Sequence, residues 1–231
     1  MFMKWIKKTF LFIAVLVLLV SLLLKKEKNI ILLLGDNKEI APYLQELAKG
    51  YTIDSSLSLK SMKSKELLYY VTSNAYLNKD KEKVSIKNLI KESDYIILSI
   101  GLNDVLNKIT VNKYEESINY DIDSINLSLS LFEQNLYNMI EHILLINESI
   151  KIIIQTYSDP FIYIDSKNDV HLIMDNLNSS IISISNVFEQ YYIEVETNNT
   201  KYYNDKFSFY PNNLGNQKIA ENIYQKIIAI S

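Results

Sequence analysis

The chain has 231 residues, of which 48% are apolar, so it can bury a sizeable core and is too apolar to be disordered. It contains no cysteine, which excludes disulfides and thiolate chemistry, and its 24 basic residues are all lysine, which disfavours nucleic acid as a partner. Residues 1–28 carry a net charge of +5 and residues 29–231 a net charge of −8, which indicates two different parts.

The first predicted element is a membrane-spanning helix within residues 1–28. Residues 9–24 are uncharged and too apolar on every side to form one face of a soluble helix. At about 1.5 Å per residue they span roughly 24 Å, and flanking lysines can snorkel to the surface of a bilayer core about 30 Å thick. A cleaved signal sequence is the alternative, although no small-residue cleavage site follows the apolar run.

The short N-terminal tail and the large domain that follows it favour export of that domain. Lysines flank the apolar segment almost equally on both sides, so the positive-inside rule does not decide the orientation. We therefore expect a single-pass membrane protein whose domain, residues 29–231, is extracytoplasmic.

Short apolar runs at residues 29–34, 95–100 and 150–156 predict central strands of a parallel sheet. Helices are predicted at about 39–49, 61–71, 119–147, 170–189 and 214–230, further strands at 51–53 and 191–196, and a loop at 78–83. In the last helix, one apolar face is predicted to contain Ile219, Ile223, Ile227 and Ile228. Alternating strands and helices predict a flavodoxin-like three-layer α/β sandwich with a parallel sheet.

Polar turn residues follow the first two central strands. The first strand ends at Gly35-Asp36-Asn37, and the second ends at Gly101, followed by Asn103 and Asp104. Ligands of parallel sheets bind beyond the carboxyl ends of the strands, so we expect these residues to line the site. The alternative for Asp36 and Asp104 is helix capping, and a third possibility is a carboxylate pair that acts as acid and base or holds a divalent cation.

These turns resemble three sequence blocks of the SGNH or GDSL hydrolases, and the resemblance covers essentially all of residues 29–231. The family's Gly-Asp-Ser block is similar to residues 35–37, and its Gly-x-Asn-Asp block matches residues 101–104 fully. Its Asp-x-x-His-Pro-Asn block is similar to residues 207–212, which read Phe-Ser-Phe-Tyr-Pro-Asn and precede Gly215.

The resemblance implies that the catalytic triad is substituted. The family's nucleophilic serine corresponds to Asn37, its aspartate to Phe207 and its histidine base to Tyr210. Asn103 is retained and would be an oxyanion donor. The family's second donor is the backbone of a glycine, and the candidates for that turn here are Ser55, Ser56 and Ser58.

Histidine does not replace the missing base at any motif position. We expect His142 and His171 to be surface or helix-packing residues, because neither lies in a block that faces the cleft. The chain also has no recognisable cofactor or metal motif, so we expect neither.

The sequence therefore favours a degraded hydrolase domain that binds an envelope glycan, lipid or protein. The expected cleft residues are Gly35, Asp36, Asn37, Gly101, Asn103, Asp104 and Tyr210. Aromatic residues near Tyr202 and Tyr210 would either contact the ligand or fill space. The alternatives are an active hydrolase of O-acetyl or lipid esters with a rearranged site, and an unrelated flavodoxin-like binding domain.

Overall fold

A computed structural model of the chain describes residues 29–73, 75–79, 82–159, 161, 170–195, 200–204 and 208–231. The predicted membrane segment and Phe207 lie outside these residues. In the described part of the chain, no helix combines the length and the hydropathy that crossing a membrane requires.

The elements follow one another as strands and helices along the chain. The first half contains β1 (Asn29–Gly35), a 3₁₀ turn (Lys38–Ile40), α1 (Ala41–Leu47), β2 (Tyr51–Ser58), α2 (Ser64–Thr72), β3 (Tyr76–Lys79), β4 (Glu82–Ser85), α3 (Ile86–Glu92), β5 (Tyr95–Ser99) and α4 (Leu102–Leu106). The second half contains β6 (Ile109–Asn112), β7 (Ser117–Tyr120), α5 (Ile122–Ile146), β8 (Lys151–Gln155), α6 (Val170–Val187), β9 (Tyr191–Ile193), a 3₁₀ turn (Thr200–Tyr202) and α7 (Asn213–Ile230).

Five parallel strands form the central sheet in the order β2-β1-β5-β8-β9. This order is the flavodoxin type, in which the chain moves first to one edge of the sheet and then to the other. The strand order reverses between β1 and β5, so the ends of these two strands lie side by side, with Gly35 paired to Ser99. The predicted α/β sandwich with a parallel sheet is confirmed.

The alternation of side chains along β1 shows why the sheet is covered on both faces. Ile31 and Leu33 pack with α1 and α7 in one buried cluster, whereas Leu32 and Leu34 pack with helices α2, α3, α5 and α6 in the other. A strand that is apolar at every position can bury both faces only between two helical layers. The continuous apolar run thus accounts for the three layers.

The predicted boundaries of helices and strands are wrong mainly where a strand contains polar residues. Strand β2 continues to Ser58, beyond the predicted residues 51–53. Its polar extension is accommodated at the sheet edge, where Asp54 accepts hydrogen bonds from Ser56 and Ser58 pairs with Asn37. The predicted loop at 78–83 contains parts of the β3–β4 hairpin. The predicted helix at 119–147 begins only after a second hairpin, β6–β7, with Asp121 as its N-cap.

The predicted apolar face of the last helix is correct for three of its four members. Ile219, Ile223 and Ile227 are buried against the sheet, since they recur at four-residue intervals. Ile228 is 54% exposed, because one further residue turns the helix by about 100° away from that face.

Two glycines make the turns that follow β1 and β5. Gly35 has a φ of 96° and Gly101 a φ of 117°, values that residues with a side chain rarely adopt. A Cβ on Gly35 would lie 2.0 Å from the carbonyl oxygen of Ser99, and one on Gly101 would lie 2.6 Å from the Phe132 ring. Both turns therefore require glycine for conformation and for space.

Replacement of Gly35 by alanine is expected to destabilise the protein by about 3 kcal/mol or more, because backbone strain and overpacking each cost roughly 1–3 kcal/mol. Gly50→Ala is the matched control, since a Cβ there meets no atom within 4 Å. Chemical denaturation of the two variants measures the difference. Equal stabilities would contradict the proposed role of the β1 turn.

Candidate functional site

A cavity of about 840 Å³ opens beyond the carboxyl ends of the sheet strands, and we call it the cleft. Its walls contain turn residues that follow β1, β2 and β8 and the segment that precedes α7. Among the predicted residues, Asp36, Asn37 and Tyr210 line it. The cleft lies where a parallel sheet is expected to bind its ligand.

The Asp36 carboxylate accepts hydrogen bonds from two groups on different loops. Its Oδ1 accepts from the Ser61 backbone N–H at 3.2 Å, and its Oδ2 accepts from the Asn103 side-chain amide at 2.6 Å. The carboxylate is held in this direction because the Asp36 N–H donates to the Ser99 carbonyl at 2.7 Å. The ends of β1, β2 and β5 are thereby joined at one anion.

Ser61 supplies the backbone donor, which the sequence analysis assigned to Ser55, Ser56 or Ser58. It lies in the turn between β2 and α2 with a φ of 65°, an unusual conformation for a residue with a side chain. The Ser56 N–H donates instead to Asp54 Oδ1 at 3.0 Å, and Ser58 is the last residue of β2. The donor was missed because positive φ at a serine leaves no signal in the sequence.

The side-chain amide of Asn103, which was predicted as a cleft donor, forms hydrogen bonds through both its nitrogen and its oxygen. It is only 5% exposed, and its Nδ2 also contacts the Met62 carbonyl at 3.3 Å. Its Oδ1 accepts a hydrogen bond of 2.5 Å from the Tyr210 hydroxyl. These contacts fix the amide so that its N–H points at Asp36.

The Asn37 side chain, which the resemblance matches to the nucleophile, is turned into the protein. It is 3% exposed, its Nδ2 donates to the Ile97 carbonyl at 3.1 Å, and its Oδ1 accepts from Ser58 Oγ at 2.6 Å. Its own N–H donates to the same serine oxygen at 3.0 Å. Asn37 thus connects three strands, while the neighbouring Asp36 carboxylate meets the cleft donors.

Asp104 caps a helix, as one of the alternatives predicted. A turn aspartate is expected to cap the helix that follows it, whereas Asp104 caps α2. Its two carboxylate oxygens accept from the N–H and the hydroxyl of Ser64, the first residue of α2, at 3.0 and 2.7 Å. Burial raises the pKa of Asp104, and the Ser64 hydrogen bonds oppose that effect. Asp104 therefore fixes α2 against the β5 turn.

The Asp36 carboxylate is partly buried, which disfavours its ionised form. Burial raises its pKa, whereas the hydrogen bonds from Asn103 and Ser61, and the positive charge of Lys60, oppose the increase. The Tyr210 pKa is also raised, first by burial and then by the negative charge of Asp36. Tyr210 is therefore a hydrogen-bond donor at neutral pH and a poor base.

Lys60, Gln155 and Tyr157 also line the cleft and were not predicted. The Lys60 ammonium lies 5.7 Å from the centre of the Tyr210 ring. The Tyr157 hydroxyl contacts Ser99 Oγ at 3.3 Å, and burial raises the pKa of Tyr157 far above its usual range. Gln155 carried a usable signal, because it is a polar residue at the carboxyl end of the third central strand, β8.

The two histidines lie away from the residues that line the cleft. His142 is on the long helix α5, as expected. His171, at the start of α6, contacts the carboxylate of Asp159 through Nδ1, a pairing that the sequence did not indicate. Among the described residues, no group of three or more acidic or histidine side chains is arranged to hold a metal ion.

Comparison with solved structures identifies the fold. An acetyl xylan esterase superposes with a TM-score of 0.60 at 15% identity, over 86% of this chain and 99% of its own. A GDSL-like lipase from Bacteroides thetaiotaomicron gives 0.57 at 17% identity, over 90% and 91%. A catalytic mutant of an acetylxylan esterase from Geobacillus stearothermophilus gives 0.60 at 13% identity, over 86% and 94%.

No protein-family model and no curated protein sequence matches the chain. The structural similarity nevertheless spans nearly the whole described domain, so the chain has the SGNH/GDSL hydrolase fold. At identities of this size the likeness establishes the fold alone. What the site does must be argued from its own residues.

Lys60→Met is expected to raise the pKa of Asp36 further, because the ammonium is one of the groups that favour the ionised carboxylate. A pH titration of the Asp36 carboxyl carbon by NMR measures the shift. Lys65→Met, on the exposed side of α2, is the control and should leave the titration unchanged. A lower Asp36 pKa in Lys60→Met would contradict this account of the cleft charges.

Proposed function

We propose that this protein is a membrane-anchored binding or accessory protein of the cell envelope, built on a hydrolase fold that has lost its catalytic machinery. One observation carries the proposal: the Asp36 carboxylate accepts the hydrogen bonds of the Ser61 N–H and the Asn103 amide. In hydrolases of this fold, donors from these two turns would stabilise the oxyanion of the transition state. Here a resident anion already occupies them.

The residues at the triad positions support the same conclusion. Asn37 is buried and fully hydrogen-bonded, and its amide is a poor nucleophile. Tyr210 holds its proton because its pKa is raised by burial and by Asp36. Loss of a complete triad lowers the rate on the order of 10⁶-fold, and the remaining rate depends on free oxyanion donors.

The lining of the cleft favours a neutral, hydroxyl-rich ligand such as a glycan. Tyr157, Tyr203 and Tyr210 offer ring faces and hydroxyl groups, and the amides of Asn204 and Asn216 offer both donors and acceptors. Rings combined with uncharged polar groups suit a sugar better than a lipid chain. Esterases of acetylated xylan are among the proteins that share the fold, which is consistent with carbohydrate as the ligand class.

A second candidate is an ester hydrolase of O-acetyl or lipid esters that uses Asp36. The observation that favours it is a carboxylate that lines the cleft beside a tyrosine hydroxyl and Lys60. For Asp36 to attack an ester carbonyl, however, it would have to leave both of its donors. The hydrogen bonds therefore favour binding over catalysis.

We propose residues 9–24 as an uncleaved membrane anchor with the domain outside the cytoplasm, and the uncharged, apolar sequence of this segment supports the proposal. An anchored domain of this kind would meet envelope glycans, lipids and proteins. Of these, the cleft chemistry favours glycans.

A glycan ligand is expected to lose about tenfold or more in affinity when Tyr210 is replaced by alanine, since its ring stacks on the sugar. Calorimetric titration of the full-length chain with acetylated and unmodified xylo-oligosaccharides measures the affinity. Tyr114→Ala is the control, because Tyr114 is fully exposed in the β6–β7 turn. Wild-type protein that binds no oligosaccharide, or equal affinities of the two variants, would contradict the glycan assignment.

The absence of cysteine makes the orientation of the domain directly measurable. A Tyr114→Cys variant places one fully exposed thiol on the domain. Labelling of intact cells with a membrane-impermeant thiol reagent is expected to modify it. Protection of the thiol until the cells are lysed would reverse the proposed topology.

A further inference from the structure

The inner end of the cleft contains a buried hydrogen-bond acceptor without a partner. Gln155, the last residue of β8, is 6% exposed, and its Oε1 has no hydrogen-bond partner in the described part of the chain. Buried side-chain oxygens are nearly always paired, because an unpaired one loses its bonds to water and gains nothing in return. The exception therefore requires a physical explanation.

Apolar side chains share the face of the sheet on which Gln155 lies. Gln155 follows Ile153 by two residues and so points to the same face of the sheet. On that face Ile153 packs in one cluster with Ile40, Val195 and Ile219, and these three residues also line the cleft. A single acceptor thus lies within an apolar end of the cavity.

We propose that this end of the cleft is a specificity subsite that accepts one hydrogen bond from an uncharged donor of the ligand. The donor is a hydroxyl or a secondary amide N–H with carbon on either side, such as an N-acyl group or a ring hydroxyl of a sugar. Rotation of the Gln155 side chain toward the cavity brings Oε1 to the donor. The subsite deepens the proposed function and rests on the cleft being a ligand site.

The chemistry of the subsite also selects against charged groups. An ammonium needs up to three acceptors, and Gln155 Oε1 is a single one. A carboxylate or phosphate has no hydrogen to donate when ionised, so it would leave Gln155 Oε1 unpaired. A neutral donor flanked by carbon can donate to Gln155 Oε1 and also pack against the apolar side chains that line this end of the cavity.

The first test measures stability without any ligand. Gln155→Met keeps the size of the side chain and removes the unpaired oxygen, so its melting temperature is expected to equal or exceed that of the wild type. Gln190→Met is the matched control: Gln190 accepts from the Ile152 N–H at 2.9 Å and donates to the Phe188 carbonyl at 3.2 Å, and its loss is expected to lower the melting temperature. A similar decrease in Gln155→Met would show that Gln155 is structurally paired and would overturn the proposal.

The second test uses small probes in place of a glycan, so it does not depend on the glycan assignment. NMR of ¹⁵N-glutamine-labelled full-length chain is expected to show a shift of the Gln155 side-chain amide with N-methylacetamide, an N–H donor. N,N-dimethylacetamide, which lacks the donor, is expected to leave the signal unchanged. Equal responses to both probes, or none to N-methylacetamide and none to 2-propanol, would overturn the proposal.

The same experiment distinguishes the two sources of the donor. A stronger response to N-methylacetamide than to 2-propanol assigns the subsite to an N-acyl group, and the reverse order assigns it to a hydroxyl. If the probes bind as expected while no oligosaccharide binds in calorimetry, the subsite stands and the glycan assignment fails.

Discussion

The candidate site depends on one partly buried carboxylate and the two N–H groups that bind it. Asp36 joins the turns after β1, β2 and β5, because Ser61 and Asn103 approach it from different loops. The same two bonds decide the chemistry of the cleft, since they use the donors that an ester hydrolase would need for its transition state. Burial raises the pKa of Asp36, and these donors lower the cost of keeping it ionised. The stability of the cleft and its proposed inactivity are in this sense consequences of the same contacts.

The framework of the hydrolase fold remains because folding itself requires it. Gly35 and Gly101 adopt conformations and close approaches that no other residue tolerates, so their turns persist without any catalytic use. Asp104 caps α2, and Asn37 connects the ends of three strands. Residues of the motif turns thus have structural partners here, which would allow the motif to persist under the proposed loss of catalysis.

The fold could be predicted from the sequence, whereas the site could be predicted only in part. Runs such as 31–34 and 95–98 are apolar at every position, and that pattern indicates a parallel sheet covered on both faces. Asn103 and Tyr210 were located by order along the chain. The exchange of roles between Asp36 and Asn37 was not predictable, because it depends on which of two adjacent side chains the β1 turn directs inward. Ser61 was missed because a backbone donor is a property of three-dimensional contacts. The place of Gln155 at the end of β8 was a usable signal, but the unpaired state of its Oε1 was not.

The most direct measurement of this account is ester hydrolysis by the purified full-length chain, with nitrophenyl acetate and acetylated xylo-oligosaccharides as substrates and Asn103→Ala as the matched variant. Because the donors bind Asp36 and the resemblance matches the triad positions to Asn37, Phe207 and Tyr210, both proteins are predicted to show the same rate as buffer alone. Hydrolysis above that rate by the wild type, reduced in Asn103→Ala, would show that the donors are free to stabilise a transition state. That result would contradict the central claim and assign the cleft to catalysis.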